Sequence, residues 1–418
     1  MKKQLHKTIF ILILSLCLSV ISFAQEKFDS VGNKPEKPIK IFDNLKISGY
    51  IQTQFQYGEK DAILSVGADN ENTNKSFNRI GIRRGRIKFS YEEKIVTAVF
   101  QIDLTEKGIG FRDVYINIKD PWLNLISLRT GIFDRPFGYE ISYSSSRRES
   151  PERSTVFQTL FPQERDLGTM LILQAPKNSV LDLLKLEAGL FAGNGIKQET
   201  DNKMDFIGHL FAEKKINNNF LLGGGISYYN GSVYQGTDKV YRMEGISFIP
   251  EDTLNTFGKF AKRQYFGIDL RFDVKSILGT THLKGEYLFG QQPGNANDSK
   301  SPNSSTLPEY DTYIRNFNGW YIMFIQDIGK LPVSLVLKYD VFDPNIKISG
   351  NEAGLHNTSP ADLARNTLGI GLLWNITKNI RLQTYYEFNK NEISENIPDY
   401  ESNRKDNVFT LRLQYKFN

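Results

Sequence analysis

The chain ends with Val408-Phe-Thr-Leu-Arg-Leu-Gln-Tyr-Lys-Phe-Asn418, a segment in which apolar and polar side chains alternate. Because successive side chains of a β-strand point to opposite faces, its apolar residues share one face and its polar residues share the other. One face suits lipid and the other suits water. A final strand of this kind closes a lipid-embedded barrel, although a strand of a soluble exported sandwich shows the same alternation.

The N-terminus has the three parts of a secretory signal peptide. Lys2, Lys3 and Lys7 supply positive charge, residues 8–21 form an apolar stretch, and Ser22-Phe23-Ala24 is a small-residue cleavage site. We therefore expect a signal peptide at 1–24 with export through the Sec pathway, an N-terminal periplasmic lead-in at 25–44 and a transmembrane β-barrel at 45–418. The single cysteine leaves with the signal, so disulfides and thiolate metal sites are not expected.

Composition narrows the class of protein further. The formal charge of +5 falls to +2 when the three signal lysines leave, so nucleic acid is not an expected partner. After residue 24 no stretch approaches the roughly 20 apolar residues of a membrane-spanning helix. A barrel fits this composition because its strands show only half of their residues to lipid. The aromatic content of 12% suits strands and interfacial girdles.

About sixteen segments have the length and alternation of a tilted strand, near the roughly ten residues that cross the hydrocarbon. Their connections alternate between short turns and long polar loops along the chain. This asymmetry predicts an all-β antiparallel transmembrane barrel with short periplasmic turns and long external loops. The predicted strands are 45–57, 80–91, 94–104, 111–119, 124–133, 166–173, 183–193, 204–214, 219–230, 262–274, 279–290, 317–327, 331–341, 365–376, 379–390 and 405–418.

The strand faces predict a wet lumen. In the second segment Arg84, Arg86 and Lys88 share one face, whereas Ile87 and Phe89 lie on the other. Turning such a strand inside out would place charges in lipid at about 2–4 kcal/mol for each Arg or Lys near the midplane. We therefore expect the apolar faces to point outward and the charged faces to line an aqueous channel, because sixteen strands leave the interior open.

Basic residues outnumber acidic ones on the predicted lumen face, so its field should favour anions. For the ladder of Arg84, Arg86 and Lys88 two interpretations remain open. It is either an anion track or a wall whose charges pair across neighbouring strands. The predicted pore-lining anion path consists of Arg84, Arg86, Lys88, Arg129, Arg271, Arg381 and Arg412.

The connection after the fifth strand, residues 134–165, is the candidate for a third loop that folds inward and narrows the channel. Its acidic residues are about as numerous as its basic residues, which predicts a polar constriction of mixed charge. The basic residues of this predicted constriction loop are Arg135, Arg147, Arg148, Arg153 and Arg165.

Several short motifs resemble those of the phosphate-selective porin O and P family. They are Gly131-Ile-Phe-Asp-Arg-Pro-Phe-Gly138, Glu152-Arg-Ser154, Arg165-Asp-Leu-Gly168, Arg83-Arg-Gly-Arg-Ile-Lys-Phe89 and Gly49-Tyr-Ile-Gln52. The resemblance implies a sixteen-stranded outer-membrane barrel, a homotrimer, a long third loop in the channel and a preference for anions such as phosphate.

The sequence thus predicts a porin in the outer membrane of a Gram-negative bacterium, with lipid, sister subunits and small anions as its partners. A general non-selective or carbohydrate-type porin is the alternative. An outer-membrane enzyme is less favoured because His209 and His282 have no recognisable nucleophile context. The spacing of these histidines also predicts no metal site, and no cofactor is expected.

Overall fold

The computed structural model describes residues 41–72, 74–177, 179–251 and 256–417. Sixteen of its strands, β1–β9 and β12–β18, form one closed sheet in which sequential neighbours run antiparallel. Pairing of β18 with β1, from Gly49 with Phe417 to Gly58 with Val408, closes the barrel. A single closed sheet excludes the two-layer sandwich and confirms the predicted fold.

The bounds of the sixteen barrel strands agree with the predicted segments to within five residues, whereas β10 and β11 match no predicted segment. The described strands are β1 Leu45–Gly58, β2 Phe77–Glu93, β3 Val96–Thr105, β4 Gly108–Lys119, β5 Ile126–Asp134, β6 Arg165–Gln174, β7 Leu184–Phe191, β8 Asp205–Asn217, β9 Phe220–Tyr234, β10 Val240–Glu244, β11 Ser247–Pro250, β12 Phe260–Ser276, β13 Gly279–Gly294, β14 Thr312–Asp327, β15 Val333–Asp343, β16 Arg365–Asn375, β17 Ile380–Asn391 and β18 Val408–Phe417.

Helical structure is scarce in the part of the chain that the structure describes. Helix α1 spans Ile41–Asn44, helix α2 spans Thr155–Leu160, and 3-10 turns lie at Gly350–Glu352 and Pro360–Asp362. None of the described helices has the length and apolar character needed to cross a bilayer. The predicted signal peptide, residues 25–40 of the lead-in and Asn418 lie outside the described residues.

The strands are two-faced as predicted. In β18 Leu413 and Tyr415 are about half exposed on the outside of the barrel, whereas Arg412 and Gln414 are buried inside it. The apolar outer surface matches lipid, and the inner surface carries the charges. We name the rim with the longer connections the loop end and the opposite rim the turn end.

The long connection after β9 differs from the loop that the sequence predicts. It contains a hairpin, β10–β11, that reverses at Gly245 with a φ of 61°. β10 also pairs in parallel with β14, from Val240 with Thr312 onward. These strands of five and four residues are too short to show a clear alternation, which is why the sequence pattern missed them.

Two β-bulges interrupt the alternation on β2 and β4. On β2 the register shifts between the partners Gln52 and Thr53, so that Arg83 is an extra residue beside Arg84. On β4 a similar shift accommodates Arg112 and Asp113 side by side. A bulge re-aims the side chains around it, and here two adjacent charged residues at each bulge contact partners in the lumen.

The connection between β5 and β6, residues 135–164, folds into the barrel as predicted, and we name it the inward loop. Its docking begins at Gly138, where φ is +61° and an added Cβ would lie 2.0 Å from Glu286 Oε2. The next two backbone N–H groups, of Tyr139 and Glu140, donate to the Glu286 carboxylate at 2.8 and 2.6 Å. The close approach of backbone to this carboxylate therefore needs a glycine.

The inward loop has an apolar side that the expected polar constriction did not include. Phe137 and Phe161 pack on the inward-facing rings of Tyr265 and Tyr229, with ring centroids 4.9–6.5 Å apart within this group. All four rings are buried. The lumen wall of β9 and β12 is therefore aromatic where the loop covers it. Buried charges lie on this side as well, since Arg263 of β12 pairs with Asp205 of β8.

Candidate functional site

Two cavities lie on either side of the inward loop. The loop-end cavity, of about 850 Å³, reaches from β2 and β4 to the connections around residues 194–201 and 295–310. The turn-end cavity, of about 320 Å³, is lined by Ser48, Lys88 and Lys416 and by residues 141–147 of the loop. Arg86 and Arg153 line both cavities, so these two side chains mark the junction between them.

The two cavities differ in charge. The loop-end cavity is nearly balanced, whereas basic side chains dominate the turn-end cavity. The loop-end cavity is lined by Arg83, Arg84, Arg86, Arg112, Arg153, Arg263 and Lys300 and by Asp103, Glu152, Glu164, Asp201, Asp298 and Glu309. The turn-end cavity is lined by Arg86, Lys88, Arg147, Arg153, Arg165 and Lys416 and by Asp113 and Asp134.

Ion pairs hold both arginines of the predicted ladder, which bears on whether the ladder is an anion track or a paired wall. Arg84 pairs with Glu152 of the inward loop at 2.9 Å, and Arg86 pairs with Asp103 of β3 at 3.0 Å. Lys88 makes no ion pair with any residue that the structure describes. The ladder is therefore a paired wall at its first two positions and offers a free ammonium group at the third.

The junction is a dense network of guanidinium and carboxylate groups. Glu164 pairs with Arg153 and with Arg112, whose Nη2 lies 2.5 Å from Glu164 Oε2. Arg165 pairs with Asp113 and Asp134, both at 2.9 Å. Charge-assisted contacts of this kind fix the geometry of the groups that carry them.

Glu152 anchors the inward loop to the part of the barrel wall formed by β2 and β18. It accepts two hydrogen bonds from Arg83 and one each from Arg84 and Arg412, at 2.8–2.9 Å. Burial alone would raise the pKa of Glu152, but Arg83, Arg84 and Arg412 bring it well below the usual carboxyl range. The anchor is therefore ionised at neutral pH.

Four residues of the predicted anion path line neither of the two cavities. Arg129 lies over the rings of Tyr115 and Phe133, and Arg271 pairs with a glutamate of β8. Arg381 donates to the carbonyls of residues 147 and 148, at 3.1 and 3.2 Å. Arg412 is buried against Glu152. The structure places the last two as supports of the inward loop.

The basic residues of the predicted constriction loop also separate into groups. Arg153 and Arg165 lie at the junction, and Arg147 is exposed to the turn-end cavity. Arg135 is buried, lines neither cavity, and pairs with Asp166 of β6 at 3.1 Å. Arg148 is buried, where burial lowers its pKa, and its Nη2 contacts the Pro151 carbonyl. Only three of the five therefore face a cavity described here.

The motifs that resemble the phosphate-selective family meet in space. Arg83 and Arg84 of one motif bind Glu152 of another, and Gln52 of a third donates to the Ser145 carbonyl at 3.1 Å. Arg135 and Asp166, from two further motifs, form the buried pair described above. The shared task of these residues in this chain is to hold the inward loop against the wall.

Solved structures of outer-membrane proteins are similar to this chain in fold. OprB of Pseudomonas putida aligns with a TM-score of 0.59 at 8% identity, over 90% of this chain and 96% of that chain. The outer membrane channel DcaP of Acinetobacter baumannii aligns with a TM-score of 0.52 at 12% identity, over 89% and 97%. OmpT of Vibrio cholerae, in a trimer form, aligns with a TM-score of 0.51 at 9% identity, over 89% and 99%.

At these identities the likeness establishes the fold, which is that of the outer-membrane porin structures. No protein-family model and no curated protein matches the sequence. The resemblance to the phosphate-selective porin O and P family therefore stays a prediction.

Sequence reasoning missed Arg83 and Arg112 as lumen residues. Strict alternation assigns Arg83 to lipid, because its neighbour Arg84 faces the lumen. The available signal was the pair of adjacent charges in an otherwise alternating strand, at Arg83-Arg84 and again at Arg112-Asp113. Two consecutive charges in such a strand indicate a bulge, since either register alone would bury one charge in lipid.

Proposed function

We propose that this protein is a porin of the Gram-negative outer membrane through which small anions diffuse passively. The observation that supports the proposal best is the composition of the turn-end cavity, which six basic and two acidic side chains line. Lys88, Arg147 and Lys416 of this set make no ion pair within the described part of the chain. Their charge is available to an ion in transit.

The chemistry of such a passage follows from the side chains. Guanidinium and ammonium groups replace the water that an anion loses on entering a narrow space. Conduction also requires that each group holds the ion weakly enough to release it. Lys88 on β2 and Lys416 on β18 both face the turn-end cavity but lie on separate strands. Two separate ammonium groups meet both requirements better than several arginines that enclose one ion would.

The surroundings of the channel belong to the same proposal. The exposed apolar outer wall fits outer-membrane lipid, and the signal peptide at 1–24 would direct export through the Sec pathway. A homotrimer is consistent with the trimer form of the OmpT structure that shares the fold. Phosphate as the transported anion rests on the motif resemblance, and the protein is not proposed to be an enzyme.

A general, non-selective porin is the second candidate. It is favoured by the loop-end cavity, where seven basic residues face six acidic ones. If that wide entrance sets the selectivity, neutral solutes, carbohydrates among them, and ions of either sign would pass according to size. The two candidates therefore differ in which cavity controls passage.

Swelling of proteoliposomes separates these candidates. Vesicles that contain the protein are diluted into isosmotic solutions of an anionic, a neutral or a cationic solute of similar size. An ionophore carries the counter-ion of each charged solute across the membrane, so that charge stays balanced. An anion-preferring channel gives the fastest swelling with the anion. Equal rates for all three solutes favour the general porin, and faster cation entry contradicts the proposal.

A further inference from the structure

The cluster around Glu164 contains a binding site that is already occupied by part of the protein. We propose that Arg112, Arg153 and Arg165 form a binding site for small carboxylates in transit, and that the Glu164 carboxylate fills this site as an internal competitor. The inference deepens the proposed function and rests on it, because it names a substrate class for the same passage.

Three guanidinium groups surround the Glu164 carboxylate. Oε1 is bound by Arg153 Nη1, and Oε2 lies 2.5 Å from Arg112 Nη2 and 3.2 Å from Arg165 Nη1. A carboxylate with both oxygens engaged by arginine is the strongest form of this interaction. The geometry shows directly that a carboxylate group fits the space.

Two of the three arginines are held in place without Glu164. Arg153 donates through Nε to the Glu140 carbonyl at 2.9 Å and through Nη2 to the Ile141 carbonyl at 3.0 Å. Arg165 is held by Asp113 and Asp134, each at 2.9 Å. If Glu164 leaves, these guanidinium groups keep their positions, so the site is preorganised for another carboxylate.

Arg112 depends on its ligand more than the other two arginines do. Glu164 is its ion-pair partner, and its buried Nε makes no hydrogen bond with any residue that the structure describes. A small carboxylate could use this donor, whereas Glu164, attached to the chain, does not reach it. Leaving such a donor unused costs free energy that a better-placed ligand recovers.

The site lies on the route between the two cavities. Glu164 and Arg112 line the loop-end cavity, Arg165 lines the turn-end cavity, and Arg153 lines both. These groups therefore lie between the two cavities, where an anion in transit would meet them. The loop-end cavity also gives the Glu164 side chain space to rotate away.

The backbone that presents Glu164 is strained. Gln163 and Glu164 are consecutive non-glycine residues with φ values of 65° and 64°, in the left-handed region. This region costs an L-residue free energy at each position, and such strain concentrates at ligand clamps and switch regions. The strained turn aims the carboxylate at the three arginines.

Charge balance at the site supports the same role. Besides Glu164 the network consists of Arg86, Arg112, Arg153 and Arg165 with Asp103, Asp113 and Asp134. Four positive and three negative groups leave one positive charge when Glu164 is absent. One bound monocarboxylate restores neutrality as Glu164 does.

Glu152 also meets three arginines, but its position assigns it a different task. Its partners Arg83, Arg84 and Arg412 all belong to the barrel wall, and none of them lines the turn-end cavity. Neither Glu152 nor its neighbours adopt a positive φ. Glu152 therefore anchors the loop beside the route, whereas Glu164 lies across it.

Binding of acetate tests the proposal directly. The full chain, folded in detergent micelles, is titrated with 13C-labelled acetate, and NMR line broadening gives the dissociation constant. A tethered carboxylate competes at an effective concentration in the millimolar range, so Glu164→Gln should bind acetate about tenfold more tightly than the unchanged protein. Equal or weaker binding overturns the proposal.

Two further variants locate the effect. Glu401→Gln removes the same charge from an exposed loop outside both cavities, and it should leave acetate binding unchanged. Arg112→Gln combined with Glu164→Gln should abolish the gain, and a gain that persists contradicts the site. Inorganic phosphate is titrated in parallel, and a gain confined to phosphate contradicts the assignment of carboxylates.

Folding is checked by the shift in gel mobility on heating. If Glu164→Gln does not fold, Glu164→Asp keeps the charge but is one methylene shorter, and it should bind acetate more tightly than the unchanged protein. Unchanged binding by a folded Glu164→Asp then overturns the inference. The NMR titration measures acetate binding and so tests only the binding site. The proposed function is tested separately by the current through a planar bilayer, and a cation-selective current would contradict it.

Discussion

Arg83 and Glu152 form a two-pronged ion pair, in which Nε and Nη2 of the arginine donate to the two carboxylate oxygens at 2.8 and 2.9 Å. Arg83 is available for this pair only because a bulge on β2 breaks the alternation of the strand. The pair ties the inward loop to the barrel wall, so the shape of the lumen depends on it.

Replacement of Glu152 by Gln should loosen the inward loop. The amide cannot satisfy three arginines, and it leaves Arg84 and Arg412 buried without a counter-charge. Breaking a buried pair in this way costs about 3 kcal/mol, and we expect the free energy of unfolding to fall by that order. Urea unfolding in micelles, followed by tryptophan fluorescence, measures it. Glu401→Gln is the control, and equal midpoints for both variants would contradict the anchor.

Replacement of Lys88 and Lys416 by Gln should weaken anion preference. Both ammonium groups line the turn-end cavity without an ion-pair partner in the described residues. Their combined loss should lower the ratio of anion to cation permeability by about twofold or more, since each charge contributes several tenths of a kcal/mol in a wet pore. Current reversal in a salt gradient measures this ratio.

The matched control for this pair is Lys94→Gln with Lys378→Gln. These lysines are exposed in turns at the same rim and line neither cavity. An equal loss of preference in both double variants would show that rim charge acts as a whole. The turn-end cavity would then not be the selective element.

Replacement of Gly138 by Ala should release part of the inward loop. An added Cβ would lie 2.0 Å from Glu286 Oε2, at a φ of +61° that already disfavours alanine by about 1 kcal/mol. Gly245→Ala is the control, because φ is also +61° there and nothing lies within 4 Å of the added atom. We expect trypsin to cut the loop at Arg147 or Arg148 faster in Gly138→Ala alone. Equal cleavage of both variants would contradict the docking role.

The turn after β4 should resist acid. The Asp120 carboxylate accepts from the backbone N–H groups of Ile126, Leu123 and Leu125 among others, which lowers its pKa to about 2. Because the pKa is lower in the folded protein, the ionised carboxylate stabilises the turn at every pH above the pKa that Asp120 has in the unfolded chain. This stabilisation is lost as pH falls through about 2. NMR titration of the side-chain carbon measures the pKa, and a value near 3.8 would contradict these bonds.

Much of the fold is predictable because its signal is local. Alternation in β18 fixes the faces of Arg412 and Leu413, and the polar loops separate the strands. Such patterns depend on neighbours in sequence, and they locate sixteen strands. The hairpin β10–β11 is not predictable in this way, because its strands of five and four residues are too short to alternate clearly and β10 pairs with β14, about seventy residues away.

Less of the candidate site is predictable, because it depends on contacts between distant segments. Arg84 and Lys88 look alike in sequence, yet the inward loop supplies Glu152 to the first and no carboxylate to the second. Arg381 and Arg412 carry charge on the lumen face but support the loop. Pairing of a lumen charge is decided by how the loop folds, and alternation contains no information about that.

The most direct test of the account is the sign of the reversal potential of the unchanged protein in a planar bilayer between unequal KCl solutions. The excess of basic side chains in the turn-end cavity predicts that chloride permeates more readily than potassium. The reversal potential should therefore have the sign of the chloride equilibrium potential. A potential of zero, or one of the sign set by potassium, would contradict an anion-preferring channel.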